Sequence, residues 1–338
     1  MRSSLYRLGI VLLGVAAPME TGCAQTLLHL PPADRVRLAE GRQLATRVCD
    51  RIWPGWGQTK FQVLLVGDSA EFLVSPERHP RDFAPLGHDA VLGAEVWTRP
   101  RQFSPDLLAT FPAVGGVPTV VIGSAERTGK SSTAWVLTLL HEHFHQWQFS
   151  QPDYNGGVSR LGLARGDTTG QWMLDYPFPY DSAPVQEAMR SLAAALVQAL
   201  EAQSETRGRA LQAVSESRDR LRKLLTADDH RYFEFQLWQE GGARFIQYAV
   251  ARAAAATGEP SADFRRLPDY EPYGQAAEDA IRGLRSELEK LDLARQRRVA
   301  FYPIGAALAL LLDETREDWK QEYTRRPFRL PDLASAGR

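Results

Sequence analysis

Short β-branched runs punctuated by Gly, Pro and Asp occur in this chain only between residues 61 and 123, as "FQVLLVGD", "AEVWTR" and "VPTVVIG". Beyond them apolar residues recur at helical spacing almost to the end. A chain that makes its strands first and its helices afterwards cannot alternate βαβ units, so the expected class is α+β, a small N-terminal sheet followed by a mainly helical half. One helix precedes the sheet. In "ADRVRLAEGRQLATRVCDRI", Val36, Leu38, Leu44, Val48 and Ile52 share a face, and "WPGW" stops the pattern after Ile52.

The later helices read as "SSTAWVLTLLHEHFHQWQ", "VQEAMRSLAAALVQALEA", "SRDRLRKLLT", "YFEFQLWQEGGARFIQYAVARAAAA", "AAEDAIRGLRSELEKLD" and "VAFYPIGAALALLLDETREDWKQEY". Residues 25–330 are expected to form one domain, divided near residue 150 between the sheet part and the helical part, with 331–338 a loose tail. A hydrophobic content of 44% over 338 residues is enough for a sizeable core. With 40 basic residues against 41 acidic ones and no basic stripe interleaved with aromatics, nothing favours nucleic acid or an anionic membrane surface as a partner.

The start, "MRSSLYRLGIVLLGVAAPMETGCAQ", places Arg2 and Arg7 before an apolar run and small residues at Gly22 and Ala24. This is the pattern of a signal peptide over residues 1–24, which predicts a secreted or periplasmic protein without a membrane span. Lipid anchoring at Cys23 is the less expected outcome, because Glu20 stands where a lipobox has an aliphatic residue. Cys49 is then the only cysteine of the mature chain, and it is expected to be a small buried residue on the first helix.

"LLHEHFHQWQ", 139–148, packs three of the seven histidines around one glutamate. On a helix His141 and His145 share a face and can meet one ion, while His143, about 200° round the axis from His141, points elsewhere. The motif is therefore H-E-x-x-H, with Glu142 placed to act on a metal-bound water as general base. Catalytic zinc takes three protein ligands plus water, so a third ligand for Zn²⁺ must lie downstream. "QWQFSQPDYNG" offers no further histidine, and the only later one is His230. Among Glu187, Glu201, Glu205, Glu216, Glu234 and Glu240, those from 187 to 216 sit in charge-rich stretches. Glu240 stands among aromatic and small residues in "FQLWQEGGARF", where a carboxylate needs a cation. Glu240 is the preferred ligand, with Glu234 and His230 as alternatives, and Gly241, Gly242 and Ala243 are expected to let its helix approach the His141 helix.

With His141, Glu142 and His145 in "HEHFH" and Glu240 in "WQEGGARF", the chain resembles the gluzincins, zinc metallopeptidases whose HExxH helix is followed by a metal-binding glutamate on another helix. The resemblance covers about a third of the chain and implies a zincin-like fold, zinc as cofactor and hydrolysis of peptide or protein substrates. It also implies that the strand before the motif borders the cleft, and that a tyrosine such as Tyr302 stabilises the oxyanion. The spacing departs from the thermolysin-like pattern, since 94 residues separate His145 from Glu240 and no Asp follows four positions later, which marks a divergent branch.

Other signals are weaker. "GSAERTGKSS", 123–132, places five residues between Gly123 and Gly129 where a phosphate-binding loop has four, so it reads as a turn into a helix capped by Ser131 or Ser132. Tyr176 and Tyr180 in "MLDYPFPYDS" are candidates to line a substrate site. Two rival classes remain at this level: a non-catalytic binding or scaffold protein with a structural zinc, and a zinc hydrolase of a non-peptide amide or ester. Glu142 separates the first from the favoured reading, because a structural site needs no base.

Overall fold

The computed structural model describes residues 29–333; the signal peptide read over residues 1–24, with Cys23, and residues 334–338 of the tail lie outside them. Among the described residues a single six-stranded sheet follows helix α1 (Pro32–Ile52). Its strands are β1 (Val63–Val66), β2 (Ala70–Val74), β3 (Ala84–Asp89), β4 (Ala94–Pro100), β5 (Leu108–Val114) and β6 (Val117–Gly123), in the spatial order β3-β4-β2-β1-β6-β5. The α+β class expected from the sequence is what the chain adopts.

Strands β1 and β6 pair in parallel at the centre, and β1 is buried throughout, as a strand covered on both faces must be. Three strands escaped the reading of the sequence, for identifiable reasons. The run of β2 is broken by Glu71, which is fully buried and answers Arg99 directly across the ladder at 2.7 Å. Edge strands β3 and β5 contain Pro85, Gly87 and Pro112, residues that an edge tolerates and a pattern search discounts. The expectation that the strand before the motif borders a cleft is corrected: β6 lies inside the sheet, and the edge strand beside it is β5.

Helix α2 (Ser132–Phe149) follows β6 and carries the histidines. Its cap is Ser131, whose Oγ accepts from the Ala134 amide, while Ser132 is held by Arg37 and Asp269. The helical half comprises α3 (Ala183–Glu201), α4 (Ser204–Leu224), α5 (Ala227–Gln236), α6 (Gly242–Ala256), α7 (Tyr273–Glu289), α8 (Phe301–Thr315) and α9 (Trp319–Arg325), with shorter turns between them. The last two were expected as one helix. The chain breaks at Arg316, allowing Trp319 and Tyr323 to turn back and pack edge-on against Trp53 of the "WPGW" stop.

One large core joins α1, one face of the sheet, α2 and the later helices. Cys49 is fully buried in it, and burial pushes its thiol well above the ordinary range, as suits a packing residue. The tail begins later than expected, since Pro331 and Leu333 are still buried and the Pro331 carbonyl accepts from Arg218. The close approach assigned to Gly241 is also redirected. A Cβ there would come within 2.4 Å of Gly305 Cα, so this glycine lets the chain cross α8 rather than α2.

Candidate metal centre

The sixteen residues from Ser132 to Gln148, less Ala134, are all buried, so α2 is apolar nearly all round and its polar side chains must find partners inside the protein. They find two different ones. His143 faces the sheet side: it stacks on Phe61 with ring centroids 3.9 Å apart, and its Nδ1 meets Gln146 Oε1 at 2.8 Å. Gln146 in turn donates to the carbonyls of Gln62 and Pro118, which ties α2 to the entries of β1 and β6. Burial lowers the His143 pKa to about 4, so it is neutral. The expected separation of His143 from the metal face holds. His143→Ala should cost about 2–3 kcal/mol of stability through the lost packing and the stranded Gln146, with zinc binding retained; chemical denaturation beside elemental analysis checks both.

The opposite face brings His141 and His145 together, their Nε2 atoms 3.2 Å apart. Glu240 approaches from the other half of the chain, with Oε2 3.6 Å from His145 Nε2. It stands in a π-helical segment, Leu237–Gly241, inserted between α5 and α6. The extra residue of a π-turn rotates the chain, and such segments recur at functional sites. Glu240 is thus the member of the candidate set that meets the histidines. Glu234 is bound by Arg218 at 2.8 Å and approached by His230, and both residues line a separate cavity of about 620 Å³ that shares no residue with this centre. They are excluded as ligands.

Two ligand atoms each about 2.0–2.1 Å from one zinc ion stand roughly 3.3–3.4 Å apart at the tetrahedral angle. The observed 3.2 and 3.6 Å are close to such edges, and all three ligand atoms lie within 4.8 Å of one another. The donor set, two imidazoles and a carboxylate, is also one that zinc accepts. His145 is held through Nδ1, which lies 2.6 Å from Gln148 Oε1 and 3.0 Å from Gln239 Nε2; Gln148 is oriented by its Nε2 donating to the carbonyls of Trp238 and Gln239, and Gln239 by its Oε1 accepting from Tyr154. The ring nitrogen turned toward His141 and Glu240 is therefore Nε2, the atom a metal would take. His141 Nδ1 is buried and has no hydrogen-bond partner among the described residues.

Charge at the centre follows from burial and pairing. Burial holds His141 neutral, its pKa well below the usual value. For His145 burial acts the same way but is outweighed by the Glu240 carboxylate, which raises it to about 9, while His145 in turn overcomes the burial of Glu240 and holds it at about 2. Without metal the pair is therefore an ion pair at neutral pH. A metal taking His145 Nε2 must displace that proton, so zinc affinity should rise about tenfold per pH unit up to about pH 9, with close to one proton released per ion at pH 7. Titration calorimetry in buffers of different ionisation enthalpy measures this, and a buffer-independent heat would contradict it.

Glu142 leans toward the sheet edge. Thr110 of β5, opposite Val120 in the register and hence on the helix-covered face, shares its hydroxyl between Glu142 Oε2 at 2.8 Å and the Glu142 carbonyl at 2.9 Å. Burial raises the Glu142 pKa, and Thr110 and His145 oppose the rise. Tyr302, at the start of α8, lies beside Glu240: Arg298 donates to its hydroxyl and also approaches Glu240 Oε1 at 3.7 Å. Burial and the Glu240 carboxylate keep the Tyr302 phenol protonated, hence a donor. Tyr176 and Tyr180 do not join the centre. Both are buried, Tyr176 stacked on Tyr232 and bonded to Asp229, Tyr180 against Phe301.

Thr110, Gln148 and Arg298 went unnoticed in the sequence. Gln148, three residues after His145, has a readable signal, since that spacing places it on the same helix side. Thr110 and Arg298 have none, because each reaches the centre from an element distant in the chain. Compared with protein-family models, curated proteins and solved structures, the chain matches none of them.

Proposed function

We propose that the protein is a zinc-dependent hydrolase of zincin-like build that cleaves peptide bonds. The reading is supported by one observation above all: His141, His145 and Glu240 converge from two halves of the chain while Glu142, adjacent to the first of them, is aimed and held by Thr110 without joining the ligand set. A purely structural site has no use for that fourth group. Bound by the three ligands, Zn²⁺ supplies Lewis acidity toward a substrate carbonyl and makes water acidic near neutral pH.

The chain's own residues do the rest. Glu142 Oε accepts the proton of the attacking water and returns it to the leaving amine, with Thr110 fixing the carboxylate's direction. Tyr302, kept as a neutral phenol and gripped by Arg298, donates to the oxygen that gains charge as the carbonyl becomes tetrahedral. Gln148 and Gln239 hold the His145 ring by Nδ1, with Nε2 turned to the metal. The edge strand β5, which carries Thr110, offers unpaired backbone to an extended substrate. The setting proposed from residues 1–24 is the periplasm or exterior, and no helix among the described residues is long and apolar enough to cross a membrane. N-terminal sequencing of protein from the native envelope tests that setting, an intact Met1 on cytoplasmic protein being the contrary result.

Elemental analysis of the purified protein, followed by turnover of an unfolded protein substrate with and without chelator, tests the activity. About one zinc per chain and chelator-sensitive cleavage are expected. Zinc without cleavage of any peptide would leave an amide or ester hydrolase or a scaffold in its place.

A further inference from the structure

Arg298 touches two members of the centre at once. Its Nη1 donates to the Tyr302 hydroxyl and stands 3.7 Å from Glu240 Oε1, with the guanidinium carbon 5.6 Å from the centroid of the Tyr302 ring. Arg298 lies on the 3₁₀ turn Arg297–Ala300 and Tyr302 on the first turn of α8. Whether the two meet therefore depends on how the chain enters that turn.

It enters through a strained residue. Arg297 follows the short helix Leu293–Gln296 and has φ 53° and ψ −134°, a combination that a residue with a Cβ rarely adopts and glycine adopts freely. Asp153, also at positive φ, has ψ 25° and sits near the ordinary left-handed well. A side chain stays in the rarer region only where its surroundings over-determine it. For Arg297 they are the loop that "MLDYPFPYDS" makes before α3. The Arg297 guanidinium lies 4.4 Å over the Tyr180 ring, and its Nη1 stands 3.2 Å from Asp181 Oδ2. The ion pair is exposed and alone contributes little, but the ring under it is only 3% exposed and is itself fixed. It stacks on Phe301 with centroids 6.0 Å apart, and Gln186 donates to the Tyr180 carbonyl. Phe178 of the same loop meets Phe301 edge-on at 5.1 Å. The loop thus grips residues 297 and 301, on either side of Arg298.

We infer that Tyr180 and Asp181 clamp Arg297 in its strained conformation, and that Arg297 is thereby a positioning residue, setting Arg298 against Tyr302 and Glu240 for the zinc-dependent reaction. The effect on turnover rests on the zinc hydrolase reading; the clamp does not.

The test compares Arg297→Ala with Arg297→Gly. Both remove the clamped side chain, but only glycine holds this backbone conformation unaided. At an ordinary exposed position the two would behave alike, or glycine would be the worse, since it leaves the unfolded chain freest. The purified full chain is labelled with 3-fluorotyrosine, and the fluorine line of Tyr302 is assigned by its absence from Tyr302→Phe. That line should move in Arg298→Ala, move the same way in Arg297→Ala, and return toward its wild-type position in Arg297→Gly. Asp181→Ala, which alters only the exposed partner, should move it the same way by less, and decides the matter should Arg297→Ala fail to fold. On zinc-loaded protein, kcat for a fluorogenic peptide should fall about tenfold in Arg297→Ala with KM unchanged, and recover to within about twofold in Arg297→Gly, with zinc content the same in all. A Tyr302 line that stays in place in Arg297→Ala and Asp181→Ala, or glycine no better than alanine in line position and kcat, overturns the clamp. A wild type with no chelator-sensitive turnover overturns the hydrolase reading instead, while the fluorine lines still decide the clamp.

Discussion

Glu142→Gln should retain a full equivalent of zinc and lose peptide turnover by about 10² to 10⁴. Glutamine preserves the shape of the side chain and still accepts from Thr110, whose hydroxyl stands 2.8 Å from Glu142 Oε2, so the packing around α2 is kept. Neither oxygen belongs to the metal set, which consists of His141, His145 and Glu240. What disappears is a carboxylate able to take a proton. Elemental analysis and steady-state kinetics on the same preparation separate this from a folding defect. Unchanged turnover would assign proton transfer to another group, and loss of zinc would place Glu142 among the ligands.

Glu240→Ala should fail in the opposite manner, with zinc affinity falling by more than about a hundredfold and turnover disappearing with it. Two histidines and water hold zinc far less well than two histidines and a carboxylate. The change also strands charge: His145 loses the neighbour that raises its pKa to about 9, and Arg298 loses the carboxylate 3.7 Å away. Because His145 then returns toward neutrality, the proton released on zinc binding at pH 7 should shrink, which calorimetry reads independently of activity. Full zinc occupancy in this variant would exclude Glu240 as a ligand; Glu234, paired with Arg218, and His230, 3.6 Å from Glu234 on the same helix, both line a cavity apart from the centre.

The sequence by itself determined the α+β order, the extent of α1, the helix that carries the histidines, and the division of labour among His141, His143 and His145. These follow from period and spacing within one element, where neighbours in the chain are neighbours in space. Glu240 was legible for a related reason, since a carboxylate among aromatic and small residues has no water to turn to. Tertiary structure decided the rest. It set Glu240 against His145 through a π-turn and a crossing at Gly241 and Gly305, neither of which leaves a period in the sequence. The register of an edge strand masked by Pro112 brought Thr110 to Glu142, 32 residues further along the chain. Contacts of this kind depend on the summed packing of many side chains rather than on any local pattern, and they supply the environment in which a helix with two histidines becomes a candidate metal centre.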